Sequence, residues 1–173
     1  MHDLNRTANL LGATALAAAD LLLAGATRRA GLSASGAAAL VVLSSSTGLS
    51  VTELGRRVGL SQSAATRMVE SLEADGLARR QRASSRFVTV RLTARGRRAA
   101  RDVLDGRQAS LAEVVAGLDP DDQEALADVL EKVLSRLYGE IASSELICRL
   151  CDRGLCTAGT ACPVGAAERS ATR

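Results

Sequence analysis

Two short helical patterns separated by a glycine turn constrain the fold of this chain more than any other feature of its sequence. Ser50 or Thr52 can cap a first helix that runs from Val51 to Val58. The break at residues 59–61 precedes a second helix, from Gln62 to Ala74, with one apolar and one polar face. Two short helices joined by a tight turn that contains glycine predict a helix-turn-helix.

The pattern changes from a helical to a two-residue period after Gly76. Residues 77–82 and 86–92 are two extended runs, and apolar residues alternate with polar ones along the second run. They predict a β-hairpin with an arginine-lined tip, so the expected fold is a winged helix-turn-helix, mainly α-helical with a small β-hairpin wing. The second helix of such a unit fits the major groove of B-DNA, and the hairpin can reach the minor groove or the phosphates beside it.

Basic charge is concentrated in the same part of the chain. Between Gly55 and Arg101, twelve arginines stand against three acidic residues, whereas the whole chain has a net charge of only +3. A chain polarised in this way presents a basic surface to a polyanion, as nucleic-acid-binding proteins do. A solvated surface in a protein that favours arginine would have the same composition, so charge alone leaves both interpretations open.

Few side chains in this sequence could support catalysis or the stacking of bases. The aromatic residues are Phe87 and Tyr138, and the single histidine is His2. A Ser-His-Asp triad would depend on that one histidine, and a platform for single-stranded nucleic acid would lack aromatic rings. The sequence also contains no glycine-rich phosphate loop and no acid and base pair. We therefore expect a binding protein and not an enzyme.

A long helix is predicted within residues 1–32, before the helix-turn-helix. Small and large apolar residues recur there at three- and four-residue steps, which predicts one buried helical stripe: Leu4, Leu11, Ala15, Ala18, Leu22 and Ala26. A signal peptide is the alternative for this segment. Asp20 interrupts its apolar region, and the span is short and polar for a membrane helix, so we expect no membrane contact.

Two further helices are predicted within residues 94–146. Thr93 caps the first, which runs to Ala116, and Asp119 caps the second, which begins at Pro120. The second has a broader apolar face than one slim subunit needs. We expect it to pair with the N-terminal helix in an intertwined homodimer, and an ordinary core within one chain is the alternative.

Two stretches of this sequence resemble a known family, the multiple-antibiotic-resistance (MarR) regulators. Residues 51–77, VTELGRRVGLSQSAATRMVESLEADGL, resemble the family's helix-turn-helix, and residues 90–96, VRLTARG, resemble the exit from its wing. The resemblance implies a homodimer with one winged helix-turn-helix, residues 33–93, on each subunit. It also implies binding to a pseudo-palindromic operator in double-stranded DNA, usually to repress transcription, with the two recognition helices about one DNA turn apart.

The resemblance also implies roles for individual residues. Ser63, Thr66 and Arg67 fall where the family's recognition helix meets bases and phosphates, and Arg86 matches an arginine of its wing. This sequence departs from the family there, because its wing is shorter and lacks the usual acidic residue and one of the two usual arginines.

The chemistry of the side chains suggests similar roles. Arg67 suits guanine, because its guanidinium matches the O6 and N7 acceptors. Gln62, at the start of the helix, can contact base edges or position the helix on the DNA. We expect phosphate contacts from the arginines of the first extended run, namely Arg79, Arg80 and Arg82. The family usually senses small aromatic anions, but this chain has few rings to stack on them, so a small-molecule effector is left open.

All four cysteines lie in the C-terminal segment, residues 147–173. They are Cys148, Cys151, Cys156 and Cys162, in the pattern C-x2-C-x4-C-x5-C. We expect a cytoplasmic protein, since it binds DNA, and in a reducing compartment clustered thiols bind metals more often than they form disulfides. Four thiolates suit a zinc ion, which we favour slightly, or an iron-sulfur cluster. A thiol-disulfide switch without metal is the third interpretation.

Two other functions fit the sequence less well. A degenerate winged helix could mediate protein contacts in an adaptor whose cysteine tail holds a structural zinc ion. An exported protein with two disulfides is the other alternative. The leading interpretation is a regulator whose four-cysteine site senses redox or metal state, or only staples the tail.

Overall fold

The computed structural model describes residues 3–28, 31–82 and 88–172. These residues form nine α-helices and one two-stranded antiparallel sheet, and the fold is mainly α-helical with a small wing, as predicted. In chain order the elements are α1 (Leu4–Arg28), α2 (Ala34–Ser44), α3 (Val51–Val58), α4 (Gln62–Ala74), β1 (Ala78–Arg82), β2 (Val88–Leu92), α5 (Ala94–Ala116), α6 (Pro120–Ile141), α7 (Ser144–Ile147), α8 (Arg153–Cys156) and α9 (Pro163–Ala171).

The helix-turn-helix, α3 and α4, has the predicted bounds because its caps are local. The Ser50 side chain accepts a hydrogen bond from the backbone N–H of Glu53 at 3.1 Å, and Ser61 caps α4 in the same way. Gly59 ends α3 with φ at +75°, a left-handed conformation that a residue with a side chain adopts only with strain.

The wing is the hairpin of β1 and β2. Ala78 pairs with Leu92 and Arg82 with Val88, and a further bridge from Leu49 to Val90 attaches the hairpin to the loop before α3. The predicted tip, residues 83–87, lies outside the described residues and includes Arg86.

The core surrounds α2, which is buried along most of its length. Leu40 is inaccessible to solvent. The same core contains Leu54 of α3, Leu72 of α4 and Val90 of β2. The same core includes Leu150, a residue of the C-terminal segment that packs against the winged helix.

The N-terminal helix differs from its prediction. Only Gly25 and Ala26 of α1 are buried, while Leu4 is 78% exposed and Leu11 49% exposed. The expected buried stripe is therefore wrong for the single subunit, because the buried and partly buried positions of α1 all lie between residues 18 and 27. By length and composition α1 could also cross a membrane, contrary to expectation, although signal sequences and core helices of soluble proteins pass the same test.

The C-terminal half begins as predicted and ends differently. Thr93 caps α5, and Asp119 and Pro120 start α6, which contains no buried residue. The cysteine segment begins a few residues earlier than the predicted residue 147, at the cap of α7, and it contains α7, α8 and α9. Its caps are polar side chains close in sequence, including Ser143 and Asp152.

Candidate nucleic-acid interface and four-cysteine site

The recognition helix α4 presents a polar face to solvent. Gln62, Ser63 and Arg67 are exposed and Thr66 is partly exposed, while Met68 and other apolar residues bury the opposite face. The Thr66 hydroxyl donates its proton to the carbonyl oxygen of Gln62 at 3.0 Å, so toward any further partner its oxygen can act only as an acceptor. The four residues predicted to meet DNA on this helix therefore lie on one accessible face.

Part of the basic charge predicted near this helix is neutralised by ion pairs. Arg56 and Arg57 of α3 both donate to the Glu53 carboxylate, at 2.8 and 2.7 Å. These hydrogen bonds lower the pKa of Glu53 to about 2, and the one from Arg56 contributes most. The two arginines are therefore engaged within the protein, and the charge available to a polyanion lies on α4, the wing and the exposed arginines at the start of α5.

The wing brings several of its arginines together. Arg79 stands directly opposite Arg91 in the strand register, and both line a cavity of about 200 Å³ together with Arg97. Like charges facing each other across a hairpin are unfavourable in an isolated protein. A phosphate in this cavity would relieve that repulsion.

The other two predicted phosphate contacts differ from each other. Arg80 is paired with Glu73 of α4, and its backbone N–H donates to the same carboxylate at 2.7 Å. Arg82 is exposed near the end of β1. Arg80 therefore connects the wing to the recognition helix, an interaction that the sequence spacing of seven residues did not reveal.

The four cysteines line one cavity of about 220 Å³. Cys148 ends α7, Cys156 ends α8 and Cys162 caps α9, while Cys151 lies in the loop between α7 and α8. All four are free thiols with intermediate exposure. The helix ends therefore bring to one place four residues that span fifteen positions of the chain.

Neighbouring thiols influence one another. A hydrogen bond from the Cys151 thiol lowers the pKa of Cys148. The same hydrogen bond is the main cause that raises the pKa of Cys151, and burial is the second cause. Burial is the main reason that the pKa of Cys156 rises to about 12. The Cys151 and Cys156 thiols are therefore poor nucleophiles at neutral pH, whereas a metal ion would displace their protons.

The thiols interact in sequence, each with the next. Accordingly, no group of three His, Cys, Asp or Glu side chains among residues 3–28, 31–82 and 88–172 has a geometry ready for a metal ion. The four thiols nevertheless line one cavity, where side-chain rotation can bring them together around an ion. A bound metal would therefore draw the four thiols together and fix their side chains.

Cationic and N–H groups surround this cavity. Arg153 lines it, and Arg107 of α5 is close enough to favour the charged form of Cys151. The Nε of Arg107 is buried without a hydrogen-bond partner in the described part of the chain. The Gly165 N–H donates to Sγ of Cys162 at 3.5 Å. Each of these groups would stabilise a negatively charged sulfur site.

The cysteine segment is joined to α3 by contacts that the sequence did not reveal. Arg56 donates to Glu145 of α7 at 2.9 Å, and a Cβ added to Gly59 would lie 3.2 Å from the Leu146 side chain. No local pattern links positions so far apart in the sequence.

Comparisons with known proteins agree with this architecture. A family model described as MarR family matches residues 30–86. The MarR family protein Rv2887 of Mycobacterium tuberculosis is 30% identical, with 72% of this chain and 91% of that chain covered and a TM-score of 0.60. The same protein in complex with DNA is 28% identical over 77% and 98% of the two chains, with a TM-score of 0.57.

A MarR family protein from Bacillus stearothermophilus is 26% identical, with 83% of this chain and 100% of that chain covered and a TM-score of 0.65. A search of curated proteins found no match.

Proposed function

This chain is a member of the MarR family of winged-helix transcriptional regulators, which are not enzymes, and we propose that it binds operator DNA as a homodimer. The observation that carries the proposal is the exposed polar face of α4 on a helix whose opposite face is buried in the core. Such a helix can enter the major groove without losing its packing.

Base contacts and phosphate contacts come from different elements. Arg67 projects from the exposed face of α4 and suits a bidentate contact to guanine, with Gln62, Ser63 and Thr66 beside it. Arg79 and Arg82 of the wing, together with Arg91, would hold phosphates of the backbone. The base contacts would supply the specificity, and the phosphate contacts would make the affinity strongly dependent on salt.

The second subunit would cover apolar surface on the long helices. Leu16 of α1 is 73% exposed, and Val129 and Ile141 of α6 are 53% and 48% exposed. The helix α6 is amphipathic, yet none of its residues is buried. Monomeric proteins rarely leave such a surface open along two helices. The exposed faces of α1 and α6 therefore support a dimer interface built by residues 1–32 and 94–146, with the winged helix of residues 33–93 outside it.

The proposal can be tested with duplexes enriched from a randomised library of about 30 base pairs, long enough for two half-sites. We expect the purified chain to sediment as a dimer and to select a pseudo-palindromic sequence. Leu130→Arg in α6 should give monomers that bind the selected duplex much more weakly. A monomeric wild-type chain that selects no sequence at low ionic strength would refute the proposal.

We also propose that Cys148, Cys151, Cys156 and Cys162 bind a soft metal, with one zinc ion favoured over an iron-sulfur cluster. The support is the single cavity that the four thiols share and the cationic side chains beside it. Four thiolates around Zn²⁺ carry a net charge of −2, which Arg107 and Arg153 would offset. The cytoplasm, where a regulator meets DNA, would keep these thiols reduced.

Anaerobic purification followed by elemental analysis and a visible spectrum distinguishes the possibilities. One colourless zinc ion per chain identifies the zinc site. Iron and sulfide with a brown colour identify a cluster. A metal-free chain that cannot take up either would leave a thiol-disulfide switch and would contradict the metal proposal. The four-serine variant serves as the control for adventitious binding.

A further inference from the structure

The cysteine segment is attached to the DNA-reading helices of its own subunit. The Arg56 guanidinium lies between two carboxylates, Glu53 on its own helix and Glu145 on α7, at 2.8 and 2.9 Å. The side chain of Glu145 is 26% exposed, so this ion pair is partly shielded from solvent. It joins the first helix of the helix-turn-helix to the helix that ends at Cys148.

Apolar contacts accompany the ion pair. The Leu146 side chain packs against Gly59, the residue that turns the chain from α3 toward α4. Leu150, between the first two cysteines, is only 8% exposed and belongs to the core around α2. The segment is therefore packed against the winged helix on both sides of Cys148.

The other end of the segment is held on α7 and α6. Ser144 donates to the Glu168 carboxylate of α9 at 2.7 Å, and the carbonyl of Pro163 lies 3.5 Å from the Ser135 hydroxyl of α6. A change in the spacing of the thiols would thus alter how firmly α7 is held against α3, because both ends of the cysteine segment are attached.

We propose that Zn²⁺ binding at the four-cysteine site tightens DNA binding by fixing α7 against α3 of the same subunit. This inference rests on the proposed function, both its DNA binding and its metal site. Zn²⁺ would form four Zn–S bonds, and the four thiol protons would leave to solvent. Because no three ligands in the described part of the chain are arranged for a metal in advance, binding would draw the four thiols together and restrain Cys148 and the helix that ends there.

Tighter binding follows from the loss of motion. Without zinc at the four thiols, α7 can separate from α3. DNA binding must then restrict the motion of both helices. When zinc has already ordered them, the DNA complex forms at a lower entropic cost. Couplings of this kind change affinities about 5- to 150-fold, and we expect a change of about 10-fold here.

The test compares the full-length chain with one equivalent of Zn²⁺ and with a chelator, on a duplex selected by the wild-type chain. We expect Kd to be about 10-fold lower with zinc. Linkage is reciprocal, so the selected duplex should tighten Zn²⁺ binding by the same factor. A structural zinc site without coupling would leave both affinities unchanged.

Glu145→Ala tests whether the coupling passes through α7. The variant should still bind one Zn²⁺ per chain and keep the DNA affinity of the zinc-free wild type, but zinc should no longer improve that affinity. Glu140→Ala removes an exposed carboxylate of α6 and should retain the full zinc effect.

The outcomes separate the proposals. If the wild-type chain selects no duplex, the proposed function fails. If it binds DNA but takes up no zinc, the zinc site and the coupling fail together. If it binds both and zinc changes Kd less than twofold, or changes it equally in Glu145→Ala, only the coupling is overturned.

Discussion

Gly25 of α1 and Gly106 of α5 meet where the two helices cross, so closely that a Cβ on either would stand 2.3 Å from the carbonyl oxygen of the other. Both residues are buried. In the sequence, Gly106 is only a weak helix former in the middle of a helix. In the structure it sets the distance between the helix that starts the chain and the helix that follows the wing.

Alanine at Gly106 should therefore destabilise the protein, although alanine forms helices better than glycine. We expect a loss of about 1–3 kcal/mol of unfolding free energy from overpacking, measured by urea denaturation. Gly139→Ala in α6 is the matched control, since its added Cβ would meet nothing within 4 Å. The control should gain up to about 1 kcal/mol. Equal gains in both variants would contradict this packing.

Leu150→Ala should destabilise the winged helix, because this tail residue is buried in its core. Truncating a buried leucine costs about 2–5 kcal/mol. Leu155→Ala removes the same atoms from a side chain that is 60% exposed and should change stability by less than about 0.5 kcal/mol. If the two variants unfold at the same denaturant concentration, the tail is not part of the core.

Arg67→Ala should weaken binding to the selected duplex by about 10- to 100-fold and relax the preference at one base pair, as expected for loss of a bidentate contact to guanine. Arg136→Ala on α6 removes the same charge at a distance from α4 and should have little effect. Fluorescence anisotropy on a set of single-base variants gives both numbers. A uniform loss of affinity across that set would assign Arg67 to the phosphates instead.

Glu73→Gln should strengthen DNA binding and make it more dependent on salt. The glutamine oxygen can still accept the backbone N–H of Arg80, but the Arg80 guanidinium is freed from its ion pair. One additional phosphate contact steepens the slope of log K against log salt by about one. Glu124→Gln on α6 makes the same charge change elsewhere. An unchanged slope would mean that Arg80 does not reach the DNA.

The contact between α7 and α3 should persist into mildly acidic solution. The hydrogen bond from Arg56 is the main cause that lowers the pKa of Glu145 below its ordinary value of 4.5. A carboxylate with a lowered pKa contributes stability above its unfolded pKa and loses it as the pH falls through the folded one. Carboxyl NMR titration should show a higher midpoint for Glu145 in Arg56→Gln. Identical midpoints would place Arg56 away from Glu145 in solution.

The winged helix was predictable because its signals are local. The cap residues Ser50 and Ser61 and the glycine at position 59 act within a few residues of the helix ends they define, so the predicted bounds of α3 and α4 were confirmed. The alternation along β2 was likewise visible, and so was the polar face of α4. The comparisons confirmed the predicted family of transcriptional regulators, while the roles of individual residues in DNA binding stay predictions.

The grouping of the four cysteines was predictable from the sequence, whereas their place in the fold was not. Clustered spacing was enough to single out four thiols as one group, and the structure places all four around one cavity. The short helices of the segment were missed, because helices of four residues, such as α7 and α8, leave almost no periodicity to recognise.

Amino-acid order alone determined where the helices of the winged unit begin and end, which face of α4 is polar and which residues carry sulfur, since each depends on neighbours in the chain. Tertiary structure decided which charges remain available and what the tail touches. The pairings of Arg56 with Glu145 and of Arg80 with Glu73, the burial of Leu150 and the crossing at Gly106 join positions whose separation in sequence carries no signal. Such contacts form only when packing of the whole core brings distant segments within a few ångströms.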